Sequence, residues 1–419
     1  MPISEDSAAD FSARVQRFEL MARMNPRGFR RQIALFAGFG YAFLLCCLVF
    51  SLGLFVGVAM LGVQTTGYIN QLAFKGLVLL ADVVFLLALL LILSLLIAIV
   101  RVFWLRTPAP VGLPLQRNMA PRLFSLLDQL GAPLEPPRID ALIIHGEFDI
   151  TVAQIPRLGL LGASRNYLLI GLPLLQSVSP EQFRALLAHA LSQVSGSQGK
   201  FGLWGKHIGQ SWQQVTAALA QSEKIGLALV AAFAHWYGAR FAVYAFTLCR
   251  FNDYLADQYA KFVVGPEQMA NSLLAMNLMG RYWRDVFVPS LQTADARASG
   301  QAAAAFTAWQ DQHTVAFAEG FAEPRLCEAL GEKTGYSASQ PCLADRLRLL
   351  GYAPEMPGGY LERGVKGLPL PGEIDVTALR YYLGPTAEHA VLTLDRLCSR
   401  RLQQEATEKH SEAKTLMLH

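Results

Sequence analysis

The residues best suited to chemistry lie in one predicted helix, Ser179 to Gly196, where His189 and Gln193 stand four residues apart. Four residues is about one helical turn, so both side chains fall on the same flank. This is the spacing of the two histidines in the zinc pattern H-E-x-x-H, whose glutamate is the general base. The chain reads HALSQ instead. His189 is therefore the retained first ligand, Ala190 occupies the base position and Gln193 the second ligand position.

The helix that positions these residues has clear end signals. Ser179 is a good N-cap, Pro180 suits the first turn, and Gln182 completes a capping box with the serine. Ser195 and Gly196 mark the predicted exit. Apolar side chains recur at three- and four-residue spacing and predict one buried face: Phe183, Leu186, Leu187, Ala190, Leu191 and Val194.

Two later segments carry further polar candidates. One is a predicted helix from Ala242 to Val264, in which two aspartates four residues apart share a face. The other is a short predicted helix from Cys342 to Leu350, together with the polar residue Gln340 that precedes it. The polar residues of interest are Asp253 and Asp257 in the first segment, and Gln340, Asp345 and Arg346 at the second.

Together these segments resemble the M48 family of membrane-associated zinc metallopeptidases. The resemblance includes an apolar N-terminal hairpin and then RNYLLIGLPLLQSVSPEQFRALLAHALSQVSG, LCRFNDYLADQYA and QPCLADRLRLLGY, in family order. It implies an α+β, mainly helical fold. The expected architecture is a zincin-like metallopeptidase domain with a small edge-exposed β-sheet, preceded by a two-helix transmembrane hairpin.

The resemblance also implies roles by position. Family members carry the third zinc ligand as the glutamate of E-x-x-x-A-D, whose aspartate supports a ligating histidine. Here Asp253 stands at the glutamate and Asp257 at that aspartate. Gln340 replaces a later family histidine, and Asp345 and Arg346 follow it as residues expected at the cleft. The vestigial metal-site positions are then His189, Gln193 and Asp253.

These substitutions predict the loss of peptidase chemistry. A catalytic zinc site needs three good protein ligands and an open position for water. His189 qualifies, Asp253 has a shorter side chain than glutamate, and Gln193 is a neutral amide that binds zinc poorly. Ala190 cannot transfer a proton, and loss of general acid–base help alone costs about 10²- to 10⁴-fold. We expect no catalytic residues and no cofactor, with a hydrogen bond from His189 to Asp257, and zinc only in a rearranged site around His189 and Asp253.

Other residues offer weaker alternatives. Ser192 and Ser195 lie on the same helix, but the sequence assigns them neither a base nor an oxyanion site, which favours capping or surface roles. His207 and His235 are candidates for relocated ligands. Lone histidines near aromatic helices are more often core or interface residues.

The composition points to a membrane region. A chain of 419 residues with 53% hydrophobic and 16% charged residues is too apolar for an ordinary soluble protein. Two uncharged runs, Ile33 to Val63 and Val83 to Val100, are each long enough to cross about 30 Å of hydrocarbon as a helix. Arginines precede the first run and follow the second. The positive-inside rule then predicts an integral, multi-pass protein with its termini and main domain in the cytoplasm.

A third apolar stretch, Ile225 to Cys249, carries His235 and Arg240 near its centre, which favours a buried helix or one on the membrane surface. The net charge of +4, without a basic stripe interleaved with aromatics, argues against nucleic acid as a partner. The predicted organisation is a cytoplasmic segment 1–32, a transmembrane hairpin 33–104 (33–63 and 77–104), an M48-like domain 105–355, a helical extension 356–402 and a disordered tail 403–419.

One feature of a peptidase can persist without metal. Phe148 to Ile155 alternates as an edge strand, and an edge strand holds an extended peptide through main-chain hydrogen bonds. The leading hypothesis is a pseudopeptidase that binds peptide or protein partners along this strand at the cytoplasmic membrane face. The alternatives are an active zinc metalloendopeptidase with an unusual metal site and a structural membrane-assembly protein.

Overall fold

The computed structural model of this chain is mainly helical, with one small mixed sheet. The chain forms two compact units: Met1–Pro108, Pro156–Ser164 and Trp204–Leu248 make the first, and Ala109–Ile155, Arg165–Leu203 and Cys249–His419 make the second. The structure describes residues 5–71, 75–103, 109–156, 164–220, 228–291, 304–312, 321–332, 334, 340–352 and 374–400. The predicted tail 403–419 lies outside these ranges.

Within the described residues, the helices and strands follow one another in a simple order. The helices are α1 (Glu5–Met24), α2 (Pro26–Gln71), α3 (Lys75–Phe103), α4 (Pro121–Leu134), α5 (Leu172–Ser177), α6 (Pro180–Ser192), α7 (Gly196–Ala220), α8 (Ala228–Val264), α9 (Pro266–Tyr282), α10 (Val288–Ser290), α11 (Ala305–Gln312), α12 (Ala322–Gly331), α13 (Leu343–Leu350), α14 (Ala378–Leu383) and α15 (386–400). A π-helical turn, Trp283–Phe287, joins α9 to α10. The strands are β1 (Leu113–Leu115), β2 (Ala141–His145), β3 (Ile150–Pro156) and β4 (Ser164–Gly171).

The first unit contains one described helix that is long and apolar enough to cross a membrane, Pro26–Tyr68 within α2. The next helix, α3, is also apolar and contacts α2. The lower part of α2 buries one face, which comprises Phe29, Ile33, Ala37 and Leu44. The helix starts before the predicted boundary at residue 33, because Pro26 suits the first turn and the arginines after it do not interrupt a helix.

The second unit is built around a four-stranded sheet in the order β1-β2-β4-β3. β1 pairs antiparallel with β2, and β2 pairs parallel with β4 so that Leu142 faces Leu168. Helix α6 contacts α4 and α9 through its apolar face, which includes the fully buried Phe183. This core fixes α6, and with it the two polar residues at the end of that helix.

Strand β4 ends at Gly171, because Pro173 suits the first turn of a helix and α5 begins there. Two predicted elements differ from the structure. The predicted helix from Ala242 is the later part of the single long helix α8. The region predicted as a C-terminal extension packs into the second unit, where Tyr382 Oη donates a hydrogen bond to the Pro180 carbonyl at 3.0 Å.

Candidate functional site

The end signals of α6 place the first candidate residue. Ser179 Oγ accepts from the Gln182 N–H at 3.2 Å, and Gln182 Oε1 accepts from the Ser179 N–H at 2.9 Å, so the predicted capping box is present. The helix ends at Ser192 with Gln193 as its C-cap, earlier than the predicted exit at Ser195 and Gly196. Gly196 has a φ of +64°, a left-handed conformation that glycine adopts without strain.

Helix α8 presents two buried aspartates to the end of α6. Asp253 and Asp257 are four residues apart, so both point the same way. His189 Nδ1 lies 2.9 Å from Asp257 Oδ1, which is hydrogen-bond distance although the N–H is not aimed straight at the oxygen. His189 and Asp257 are therefore direct neighbours in the structure.

Helix α13 contributes a guanidinium to the same cluster. Arg346 Nε donates to Asp257 Oδ2 at 2.8 Å and Arg346 Nη2 donates to Asp257 Oδ1 at 2.6 Å. This two-point geometry is the strong form of a pair between arginine and a carboxylate. Arg346 Nη2 also lies 3.4 Å from His189 Nε2. Three helices of the second unit thus meet at His189, Asp257 and Arg346.

Gln193 completes the cluster by linking its two sides. Its Nε2 lies 3.1 Å from His189 Nε2 and donates to Asp253 Oδ1 at 2.6 Å. Because Gln193 and Arg346 both bring N–H groups to His189 Nε2, this nitrogen is an acceptor and the ring proton belongs on Nδ1, next to Asp257. We call His189, Gln193, Asp253, Asp257 and Arg346 the polar network.

The charges of the polar network are unequal. Burial is the largest influence on Asp253 and raises its pKa, although His189 and Arg346 act in the opposite direction. Burial would also raise the pKa of Asp257, but Arg346 and His189 outweigh it and hold that pKa well below its usual range. Burial lowers the pKa of Arg346, and Asp257 more than compensates. Asp257 and Arg346 therefore form a stable ion pair, whereas the charge on Asp253 is costly.

The residues of the network do not fit a catalytic zinc ion. The atoms able to bind zinc, His189 Nε2 and Asp253 Oδ1, are both contacted by the same amide nitrogen of Gln193, where a bridging metal would have to lie. The other carboxylate of the cluster, Asp257, accepts hydrogen bonds from Arg346 on both of its oxygens, and the Arg346 guanidinium adds a positive charge beside His189. Across the residues described, no group of three or more His, Cys, Asp and Glu side chains is arranged to hold a metal ion.

Two residues expected at the cleft, Gln340 and Asp345, are not part of the polar network. Gln340 is exposed at the start of its segment. Asp345 accepts from Thr334 Oγ1 at 2.5 Å and from Arg348 Nη1 at 2.7 Å. Of the three residues predicted at the second polar segment, only Arg346 joins the network. Its long side chain reaches Asp257 across 89 residues of sequence, which periodicity within one helix does not predict.

The two alternative nucleophiles, Ser192 and Ser195, have structural roles. Ser192 Oγ donates to the Ala188 carbonyl at 2.7 Å, and Ser195 Oγ donates to the Leu191 carbonyl at 2.6 Å. Both hydroxyls are thus bonded to their own helix backbone, a common arrangement for serine. Ala190 is fully buried and offers no proton acceptor. These contacts leave the polar network as the site with concentrated chemistry.

A second histidine–carboxylate pair was not anticipated from the sequence. His145 Nε2 lies 2.8 Å from Asp149 Oδ1, at the end of β2 where that strand pairs with β4. The four-residue separation was visible in the sequence, but it falls across a strand end and not along a helix. Asp149 is about half exposed, so the pair sits at the surface of the second unit.

The strand predicted to bind peptides lies at one end of the sheet order. β3 covers Ile150–Pro156 and has β4 as its neighbour in the order. Phe148 precedes the strand and is buried, with its ring edge-on to Trp309 at 6.4 Å between centroids. The edge strand is therefore shorter at its start than the predicted Phe148 to Ile155, because Phe148 belongs to the core.

Comparisons with known proteins do not extend this picture. No family model, curated protein or solved structure matches the chain. The resemblance to M48 peptidases accordingly rests on the residues of HALSQ, NDYLAD and the segment around Arg346. What the geometry itself defines is a buried, hydrogen-bonded cluster of one imidazole, one amide, two carboxylates and one guanidinium.

Proposed function

We propose that this protein is a membrane-anchored, M48 peptidase-like pseudopeptidase that binds peptides or protein tails without cutting them. The observation that carries the proposal is the Gln193 amide. Its Nε2 donates to Asp253 Oδ1 and contacts His189 Nε2, so hydrogen bonds join the two atoms that a peptidase of this pattern would use for metal. The arrangement gives the cluster a structural role in place of a catalytic one.

The absence of a base supports the same conclusion. The position after His189 is Ala190, which is buried and has no group to accept a proton from water. A metal bound weakly by His189 and Asp253 would still lack general base help, which is worth about 10²- to 10⁴-fold. An active metalloendopeptidase with an unusual site is therefore the less favoured function.

Membrane anchoring is supported by where the apolar surface lies. Between residues 45 and 100, α2 and α3 carry exposed large apolar side chains around both helices: Leu45, Val49, Phe50, Leu52, Leu54, Val56, Met60, Leu61, Val63, Leu80, Val83, Val84, Leu86, Leu87, Leu90, Leu93, Ile97 and Val100. A surface of this extent on a water-soluble protein would aggregate. We propose that both helices cross the bilayer, with the termini and the second unit in the cytoplasm, as the flanking arginines indicate.

Binding of an extended chain is proposed at β3. A strand at the end of a sheet has backbone N–H and C=O groups that can pair with an added strand. Thr151, Ala153 and Gln154 are partly exposed there, which leaves access from solvent. This mode of binding needs neither metal nor base.

The test uses casein, an unstructured protein, as the probe with detergent-purified full-length protein. We expect casein to be retained and to remain intact, with or without a chelator. Cleavage that a chelator abolishes would contradict the proposal and favour the active metalloendopeptidase. If casein is neither retained nor cleaved, that result would contradict the proposal and favour the structural membrane-assembly protein.

Paired proline variants locate the binding. Successive N–H groups of a strand point to opposite sides, so one of Ala153→Pro and Gln154→Pro removes an outward N–H while the other removes one directed at β4. The variant that keeps wild-type stability is expected to lose casein retention. Full retention by that folded variant would rule out β3 as the binding edge.

A further inference from the structure

Aromatic contacts fix how α8 runs along α2 within the first unit. The Phe43 and Phe233 rings stack at 3.6 Å, Phe36 and Tyr237 stack at 4.8 Å, and Tyr237 Oη donates to the Phe36 carbonyl at 2.9 Å. Lower residue numbers on α2 therefore face higher numbers on α8, and the two helices are antiparallel. The first turns of α8 lie level with residues near Phe43 of α2.

The pairing of α2 with α3 sets the height of the proposed bilayer. Thr66 Oγ1 donates to Asp82 Oδ1, and a side chain at Gly62 would touch Phe85. Continuing this antiparallel register places Arg101, the first charged residue of α3 after Asp82, level with Cys47. A hydrocarbon layer of about 30 Å spans about 20 residues of helix, so a layer that starts at Gln64 ends near Leu44. The level of Arg101, at Cys47, and the calculated end of the layer, near Leu44, are two estimates of the cytoplasmic boundary of the hydrocarbon. They agree within about one helical turn.

An exposed aromatic ledge lies just below that boundary. Trp236 is 42% exposed and Phe39 is 50% exposed, and their ring centroids are 6.5 Å apart. Phe39 stands about 7 to 8 Å below Leu44 along α2, within the depth of a headgroup layer of about 5 to 8 Å. Leu35, one turn lower, is 76% exposed and continues the apolar face.

The positively charged side chain of Arg240 lies next to the Trp236 ring of the ledge. The Arg240 guanidinium carbon lies 4.4 Å from the centre of the Trp236 ring, a cation–π contact. Helical side chains tilt towards the N-terminus of their helix, and the N-terminus of α8 points to the membrane boundary. Trp236 and Arg240 therefore both tilt towards the bilayer. An indole ring beside a guanidinium suits the interface, where the ring meets the lipid and the cation meets phosphate.

From this geometry we propose that Phe39, Trp236 and Arg240 form a contact with phospholipid headgroups on the cytoplasmic face, so that the start of α8 lies on the bilayer. The occupant is the headgroup layer of the same membrane that holds α2 and α3, because the ledge is continuous with their apolar surface. The inference rests on the proposed membrane anchoring and adds a second, shallow contact to it. It also accounts for an arginine in an apolar helix, since Arg240 remains at the polar layer.

Fluorescence quenching in lipid vesicles tests the contact at a defined depth. The full-length protein is reconstituted with lipids that carry a nitroxide either on the headgroup or deep in the acyl chain. Trp236→Phe is expected to remove emission that the headgroup nitroxide quenches and the deep nitroxide does not. The matched control is Trp309→Phe, because Trp309 is fully buried in the second unit and its emission should escape both quenchers.

A further variant separates this inference from the membrane anchoring itself. Leu54 is exposed and near the middle of the proposed span, so Leu54→Trp should add emission that the deep nitroxide quenches. If that gain appears and Trp236→Phe leaves headgroup quenching unchanged, the ledge is ruled out while the anchor stands. If Leu54→Trp gains no deep quenching, the anchor fails and the ledge fails with it.

Discussion

The polar network and the apolar α2–α3 pair are both unusual for a folded protein, but in opposite ways. The network buries charged and polar side chains, with Asp257 fully covered and Asp253 and His189 nearly so. The α2–α3 pair exposes leucine, valine and phenylalanine around two long helices. In the first region the side chains supply one another's hydrogen-bond partners, and in the second the proposed lipid replaces a protein partner.

The α2–α3 pair should tolerate the loss of a single side-chain group better than the polar network does. A buried charge depends on particular atoms, since Asp257 needs Arg346 at 2.6 and 2.8 Å. An apolar surface in lipid depends only on remaining apolar. Removal of the Arg346 charge should therefore be severe in the network, and charge addition should be severe in the α2–α3 pair.

The largest effect is expected from Arg346→Met. It leaves the Asp257 carboxylate buried without its cation, and breaking a buried pair from one side costs about 3–5 kcal/mol. Urea unfolding of the detergent-solubilised chain measures the loss. The matched control is Arg348→Met on the same helix, because Arg348 is mostly exposed and its pair with Asp345 should contribute no more than about 1 kcal/mol.

The double variant Asp257→Asn with Arg346→Met sharpens that result. Removal of both charges should restore part of the lost stability, because no uncompensated carboxylate remains. A double variant as unstable as the single change would mean that the methionine damages packing. The buried ion pair would then not be the source of the effect.

The next largest effect is expected from Leu54→Arg. An arginine near the centre of a spanning helix costs about 2.5–3.5 kcal/mol, which should reduce the fraction of chains inserted in a microsome assay. Leu349→Arg is the control, since Leu349 has the same 43% exposure but lies on α13 in the second unit. Equal insertion of Leu54→Arg and the wild type would contradict the placement of α2 in lipid.

A smaller effect should distinguish the two halves of α2. A Cβ at Gly40 would come within 2.5 Å of the Tyr237 ring and 2.9 Å of Trp212, whereas one at Gly53 meets nothing within 4 Å. Gly40→Ala should cost about 1–3 kcal/mol through overpacking. Gly53→Ala should not destabilise the helix. Thermal unfolding of the two variants compares them, and equal midpoints would argue against the aromatic packing on the lower half of α2.

The smallest effect is expected at Asp253. Burial raises its folded-state pKa, so its contribution to stability is favourable below the unfolded pKa of about 3.9 and is lost as the pH rises through the folded pKa. Asp253→Asn removes that penalty and keeps an oxygen for Gln193. Unfolding measurements should show a gain at about pH 7 that shrinks at about pH 4.5. A loss at about pH 7 would mean that Asp253 is stabilised as a carboxylate.

Local features of this molecule were predictable, and contacts between distant segments were not. The capping box at Ser179 follows from residues three apart, and the contact between His189 and Asp257 follows from the family pattern. The hydrogen bond from Gln193 to Asp253 joins residues 60 apart. From the sequence, Gln193 was only a missing metal ligand. Its amide can link His189 and Asp253 only because the fold brings both acceptors next to it, and the sequence does not show this.

The course of α8 was missed for a related reason. Its apolar first half and polar second half suggested two helices, although neither Gly nor Pro stands at the join near Leu248. The aromatic residues of α2 and α8 recur at three- and four-residue spacing, which was a usable signal for their packing. Periodicity can indicate an aromatic face on each helix, but it cannot show that the two faces meet.

Zinc content tests the central claim most directly. Elemental analysis of tag-free, detergent-purified protein should find less than about a tenth of a zinc ion per chain, because Gln193 already engages His189 and Asp253. Gln193→His is the informative comparator, since a second imidazole at this position should raise the zinc content without restoring cleavage. About one zinc ion per wild-type chain, lost in His189→Ala, would contradict the account and restore the metallopeptidase function as the better explanation.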